Sequence, residues 1–283
     1  LGDYSVKKGE YSRIEGDFES IEFVELVNQN PIGRSSRSNP VTYIKAYDDI
    51  RKLFSSQKYS LIRGYKPKHF SFNVDGGRCE NCKGEGQVTI EMQFMADVHI
   101  KCEDCNGKRF IKDILEVKFK HKNIDDILNS TIDEAINFFE TNDELKIKNK
   151  LQPLKDVGLG YIKLGQSSST LSGGEAQRIK LASFLGLKNN KKNGLFIFDE
   201  PTTGLHYDDI NKLLKSINSL IDKSNTVIII EHNLDVIKQA DHIIDLGPKG
   251  GKNGGKIVFQ GELEQILYNK ISQTGFFLKK EIT

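Results

Sequence analysis

Four cysteines in this sequence stand at a spacing that does chemistry. They fall in two C-x2-C pairs, Cys79 with Cys82 and Cys102 with Cys105, with residues 83–101 between the pairs. Two thiolates three positions apart on a tight turn can share one tetrahedral ion, and a second such turn completes the shell. Gly84, Gly86 and Gly107 follow the pairs, where the missing Cβ lets backbone amides turn toward sulfur. The other readings are disulfides or free thiols. The sequence carries no secretory pattern and no cysteine outside this window, so Zn2+ is the expected partner. Four sulfurs leave no open position for a substrate, which makes the expected site structural.

A second group of residues suits phosphate. The stretch LFIFDEPTTGLH, residues 195–206, is an apolar strand ending in Asp199 and Glu200. At the carboxyl end of a strand in an α/β sheet, Asp199 would hold Mg2+ through water and Glu200 would act as general base on an attacking water. Strands often end in acids, so the pattern alone is weak. It has company. Glu231 and His232 follow the next apolar run, and a histidine there can reach the γ-phosphate from the adjacent strand tip. Ser172, Gly173 and Gly174 precede EAQRIKLASFL, which reads as an N-cap and a helix whose free amides bind anionic oxygens. Taken singly, these would be a loop histidine and an ordinary capped helix.

One partner of such a site is missing. No G-x-x-x-x-G-K-[ST] string occurs. The nearest stretch, GGKNGGKI at 250–257, puts Ile257 where the metal-binding hydroxyl belongs. A strand-like KIVFQG follows it, and not a helix, so it reads as a hairpin turn. The sequence begins at Leu1, without a methionine. The expectation is a portion of a longer polypeptide whose phosphate loop lies upstream, and a chain that does not hydrolyse ATP alone.

The elements that must carry these residues are legible from periodicity. Ile21–Val27 reads as a strand, 30–40 as a polar loop, and 43–54 as a helix with Tyr43, Tyr47, Ile50 and Phe54 on one face. Residues 61–112, rich in glycine and cysteine, read as a β-rich insert in which QVTIEMQFMADVHI returns the chain as a hairpin. Helical patterns resume over 124–156, with Thr131 and Glu134 spaced as a capping box. From 195 onward the order is strand, helix, strand, helix, strand, with LFIF and TVIIIE continuous enough for buried parallel strands. Apolar residues make up 37% and charged residues 28% of 283, a folded composition with net charge +2 that favours no particular partner. No apolar run is long enough for a membrane span, and a cytoplasmic protein is expected.

In this order, LSGGEAQR, the Asp199–Glu200 strand (a Walker B pattern) and His232 resemble the ABC-type ATPases. Several stretches together resemble the UvrA family of bacterial nucleotide excision repair: NPIGRSSRSNP at 30–40, RGYKPKHFSFNVDGGRCENCKGEG at 63–86, LGQSSSTLSGGEAQR at 164–178, DEPTTGLH at 199–206 and EHNLDVIKQADHIIDLGPKGG at 231–251. The likeness runs from about residue 22 to the end. It implies an α/β fold, a partial P-loop ABC-type ATPase core with a helical signature subdomain and an inserted four-cysteine zinc ribbon. It divides the chain into 1–40, the first part of the nucleotide-binding core, 41–185, the signature subdomain with a zinc module near 76–110, and 186–283, the rest of the core. By resemblance, Ser172, Gly173, Gly174 and Gln177 contact ATP held by an opposing ATPase unit, Asp199 serves Mg2+, and Glu200 and His232 are catalytic. Gln93 and Gln166 are candidates for a residue that senses metal and nucleotide, and spacing does not choose between them. The implied partners are duplex DNA with lesions, a UvrB-like protein and a second copy of the full protein. A related paralogue or a transport-type ATPase subunit is the alternative, and the zinc ribbon speaks against the latter.

Basic residues offer partial support for DNA. Lys101, Lys108 and Arg109 flank the second cysteine pair, and Arg63, Lys66, Lys68, Arg78 and Lys83 surround Tyr65, Phe70 and Phe72. Such side chains on a rigid ribbon suit phosphate contacts. The bland alternative is a solvated basic face over two core phenylalanines.

Overall fold

The computed structural model describes residues 11–33, 35, 37–90, 92, 97–186, 193–249 and 254–282. Its strands are β1 (Phe23–Val27), β2 (Gln87–Ile90), β3 (Val98–Lys101), β4 (Gly194–Asp199), β5 (Thr226–Ile230), β6 (Ile243–Gly247) and β7 (Lys256–Gly261). The three most apolar runs form a parallel sheet in the order β1-β4-β5, with Val27 beside Phe198 and Phe198 beside Ile229. Consecutive strands β4 and β5 are joined through the Tyr207–Ile221 helix. That helix buries Ile210, Leu213, Leu214, Ile217 and Leu220, spaced three and four apart as one face requires.

One sheet face is covered and the other is not. Phe196 and Phe198 are buried, and Phe184 of the Gly173–Gly186 helix meets Phe196 edge-on at 5.3 Å. The opposite face presents Leu26, Ile228 and Ile230, each about half exposed. The apolar runs form parallel strands as expected, with one set of side chains buried and the other about half exposed in this chain.

The expected strand–helix–strand–helix–strand order is present, from β4 through a short Leu234–Ile237 helix to β6. Its last strand leaves the parallel sheet. β6 pairs antiparallel with β7, whose start at Lys256 fits the hairpin reading of GGKNGGKI; residues 250–253 of that stretch lie outside the described residues.

The region between β1 and β4 is helical around an inserted ribbon. The expected 43–54 helix is two, Pro40–Tyr43 and Tyr47–Ser55. The break falls at Lys45, whose φ of 59° ends one turn before the next begins. The first piece is capped by Asn39, whose Oδ1 accepts the Thr42 amide at 3.0 Å. The expected β-rich insert also shrinks. Its first residues continue a Lys58–Arg63 helix that stops at Gly64 in the left-handed region, and a 3-10 turn covers Pro67–Phe70. Among its described residues only β2 and β3 are strands, paired antiparallel with Gln87 opposite Lys101. Thr131 and Glu134 form the expected capping box at the start of Ile132–Thr141, which packs beside Leu145–Asp156.

A continuous apolar core runs from Val27 through Phe54, Phe72, Phe110 and Leu151 to Phe198 and Leu220. Sheet and helical region share side chains, so the elements carrying the site are braced by one core. No helix among the described residues is long and apolar enough to cross a membrane.

Candidate nucleotide and metal sites

The strand tips gather the expected phosphate chemistry. Asp199 is the last residue of β4, and Glu200 follows with φ of 45°, a left-handed conformation costly for a residue with a Cβ. The turn is held by two backbone bonds, Glu200 N–H to the Ile230 carbonyl at 2.9 Å and Thr203 N–H to the Glu200 carbonyl at 3.2 Å. His232 stands two residues past β5, and its Nε2 lies 3.4 Å from Glu200 Oε1. The histidine side chain is 83% exposed and the glutamate 47%, so the pair opens to solvent where a phosphate could enter.

The Gly173–Gly186 helix starts beside the same tips. Ser172 caps it: its Oγ accepts the Glu175 amide at 3.2 Å, and Glu175 returns a carboxylate oxygen to the Ser172 amide at 2.8 Å. Burial pushes the Glu175 carboxyl up, but donors from Tyr161 and Ser172 outweigh it and hold it below the usual range. The two glycines are needed for close approach. A Cβ on Gly173 would lie 2.9 Å from the Gln29 side chain, and one on Gly174 would lie 2.9 Å from the Thr203 carbonyl.

Gln177 has a different position from the one its motif suggests. It is 1% exposed, and its Nε2 donates to the Val27 carbonyl at 2.7 Å and the Asp199 carbonyl at 2.9 Å. It ties the helix to the ends of β1 and β4 and has no exposed face to offer a nucleotide. A glutamine at the tip of β1 escaped sequence reasoning. Gln29, two residues past the strand, lies against Gly173, whereas Gln166 sits in the loop before the helix and Gln93 lies outside the described residues. Its signal was available: a polar amide at the carboxyl end of a strand, the same placement that singles out Asp199 and His232.

The cysteines converge as their spacing predicts. All four are buried and none is in a disulfide, and their sulfurs lie within 4.8 Å of one another. The Cys79–Cys102 and Cys82–Cys105 sulfurs are 3.9 and 3.6 Å apart. Sulfurs at the corners of a tetrahedron about Zn2+ stand about 3.8 Å apart for a bond of about 2.3 Å. The Gly86 amide donates to Cys82 Sγ at 3.2 Å. Burial pushes the Cys105 thiol up to about 12 and the Cys79 thiol up as well, whereas burial at Cys102 is outweighed by hydrogen bonds that hold its thiol below the usual value. Left-handed residues close both knuckles, Lys83 and Gly84 after the first pair, Asn106 and Gly107 after the second. A Cβ on Gly84 would strike the Phe72 carbonyl at 2.0 Å. The set is compatible with a structural zinc.

The basic residues sort into two kinds. Lys101 and Lys108 are exposed. Arg109 is not free for DNA as expected: its guanidinium lies 5.6 Å over the Phe72 ring and donates to the Gly165 carbonyl at 3.0 Å. It joins the second knuckle to the loop that leads into the signature helix. A further tie, Arg37 to Glu85 at 3.4 Å, links the first knuckle to the loop after β1. Phe70 and Phe72 are fully buried core residues, Arg78 pairs with Asp75 and Arg63 with Tyr59, which leaves Lys66, Lys68 and Lys83 in solvent.

Comparison with known proteins shows the family. No family model matches the chain. The UvrABC system protein A of Clostridium acetobutylicum is 56% identical over 272 residues, covering 96% of this chain and 28% of that protein. The protein of the same name from Staphylococcus epidermidis is 55% identical over 274 residues, covering 97% of this chain and 29% of that one. The crystal structure of UvrA2 from Deinococcus radiodurans superposes with a TM-score of 0.88 at 43% identity, over 95% of this chain and 33% of its own. This chain thus spans about a third or less of the length of these relatives, and over nearly all of its own length it belongs to the UvrA family.

Proposed function

We propose that this chain is the part of a UvrA-type ATPase that supplies the signature helix, the catalytic carboxylates and the switch histidine, and that it serves damaged-DNA recognition in nucleotide excision repair. The observation that carries the reading is the meeting of Glu200 and His232 at 3.4 Å on the strand tips of a UvrA-like scaffold. Asp199 would hold Mg2+, which supplies charge neutralisation to the phosphates when bound. Glu200 would take the proton of the attacking water while His232 holds a terminal phosphate oxygen. Gln29 would orient from the neighbouring tip. Ser172, Gly173 and Gly174 would present amides to the triphosphate of an opposing ATPase unit. Division of the chain at 40/41 and 185/186 follows the same reading.

The Cys79, Cys82, Cys102 and Cys105 cluster would hold a structural zinc that fixes the ribbon. Lys101 and Lys108 on that ribbon would meet duplex phosphates. Loading of a UvrB-like partner and pairing with a second copy are proposed for the longer protein. The chain lacks a lysine phosphate loop, so it is expected to be inactive in ATP hydrolysis alone. The test places Glu200→Gln in a polypeptide of the relatives' full length. Turnover should fall at least about a hundredfold with ATP binding retained, and the chain alone should show none. Undiminished turnover in the variant, or Glu200-dependent turnover by the chain alone, would count against the reading.

A further inference from the structure

We propose that Glu231 is a positioning residue of the nucleotide site, its carboxylate clamping the His232 loop to the loop after Glu200 so that the two side chains meet. The proposal rests on the reading of Asp199, Glu200 and His232 as an ATP-hydrolysing group.

His232 cannot owe its place to packing, because its side chain is 83% exposed. Its backbone must hold it, and Glu231 supplies the hold. Glu231 is the first residue beyond β5 and is half-buried. Its Oε2 accepts the His232 amide at 2.7 Å and the Asn233 amide at 2.9 Å. Its Oε1 accepts the Thr202 amide at 3.0 Å and also the Thr202 hydroxyl. Four donors from two loops fill one carboxylate, which only an ionised acid can accommodate. Burial pushes this carboxyl up, but the Thr202, Asn233 and His232 donors outweigh it and hold it below the usual range. The Asn233 side chain then accepts the Asp235 amide at 2.9 Å, so the loop runs directly into a short helix with no slack. On the other side, Thr202 lies between Glu200 and the Thr203 carbonyl that abuts Gly174. One carboxylate therefore fixes the base, the histidine and the start of the signature helix relative to one another.

A glutamine cannot replace it. Its amide would turn an N–H toward one pair of donors and release one of the two loops. In a polypeptide of the relatives' full length, Glu231→Gln should lower kcat for ATP about a hundredfold with KM unchanged, since a misplaced group costs the transition state and not binding. Thr202→Val, which removes a single donor, should lower kcat severalfold. In this chain itself, amide exchange at Thr202, His232 and Asn233 should quicken in Glu231→Gln more than at the amides of β4 and β5, with the melting temperature only modestly lowered. Wild-type kcat in Glu231→Gln beside an inactive Glu200→Gln would overturn the positioning role alone. Full turnover in Glu200→Gln would overturn the nucleotide-site reading beneath it. If Glu231→Gln fails to fold, exchange in Thr202→Val decides: unchanged protection at His232 and Asn233 with unchanged kcat would sink the clamp.

Discussion

Asp49 shows how a single charge can brace the scaffold under the site. Its carboxylate is 8% exposed, and the amines of Lys146 and Lys150 each stand 2.7 Å from one of its oxygens, joining two helices of the signature region. Burial pushes the carboxyl up, but the two lysines outweigh it, and it titrates below its ordinary value. The stability this adds is present above the unfolded value near about pH 4 and fades as pH falls through the lower folded value. Asp49→Asn should therefore cost about 2 kcal/mol near neutrality, and denaturant melts of the two proteins should draw together as pH falls below about 4. The same scale explains what residue type hides. Arg109 and Lys108 are neighbours of one charge sign, yet the arginine is stacked on Phe72 and bonded to Gly165 while the lysine faces water. Gln177 sits inside a stretch expected to bind nucleotide, and its Nε2 is taken up by strand carbonyls. Spacing announces that a polar group has a task, and only packing shows whether the task is a ligand or the fold.

The ribbon is an element whose existence was legible and whose attachment was not. Cysteine spacing with glycines fixes two knuckles and a hairpin, because few other backbones bring four sulfurs together. Its seating depends on contacts remote in sequence: Arg109 to Gly165, Arg37 to Glu85, and Phe110 packed edge-on to Phe72 at 6.3 Å inside the main core. The knuckles thus hang from Phe72 and Phe110, which do not need a metal to stay buried. Chelating the proposed zinc should free the amides of 79–109 to exchange and lower the melting temperature, while the Ile132–Thr141 and Leu145–Asp156 helices stay protected. Metal analysis should return about one zinc per chain, lost in Cys82→Ser. Retained protection of the ribbon after metal removal would show that its side-chain anchors suffice. The broken 43–54 helix and the reduced β content before β2 depart from the sequence pattern for a related reason. Apolar periodicity over Tyr43–Phe54 continues across Lys45, although the backbone there turns left-handed, and glycine-rich texture suggested strands where the chain makes helical turns.

At the scale of the molecule, the parallel sheet is dressed on one side. Leu195 and Ile197 of β4 share the open face with Leu26, Ile228 and Ile230, and β5 pairs only with β4 among the described residues, leaving its outer edge unpaired. A sheet edge with backbone donors exposed, beside a contiguous apolar face, is a template for association. The chain alone should accordingly self-associate through this surface and bind a hydrophobic dye. Ile228→Thr with Ile230→Thr keeps β-branched residues on the strand while removing apolar area from the open face. Because both side chains are about half exposed, the double variant should change stability by no more than about 1 kcal/mol, about 0.5 at each site, and should sediment as a smaller species with weaker dye fluorescence. A larger loss of stability would mean that these isoleucines are packed and not exposed in solution. Association unchanged at equal stability would place the contact elsewhere and leave the open face without consequence for the isolated chain.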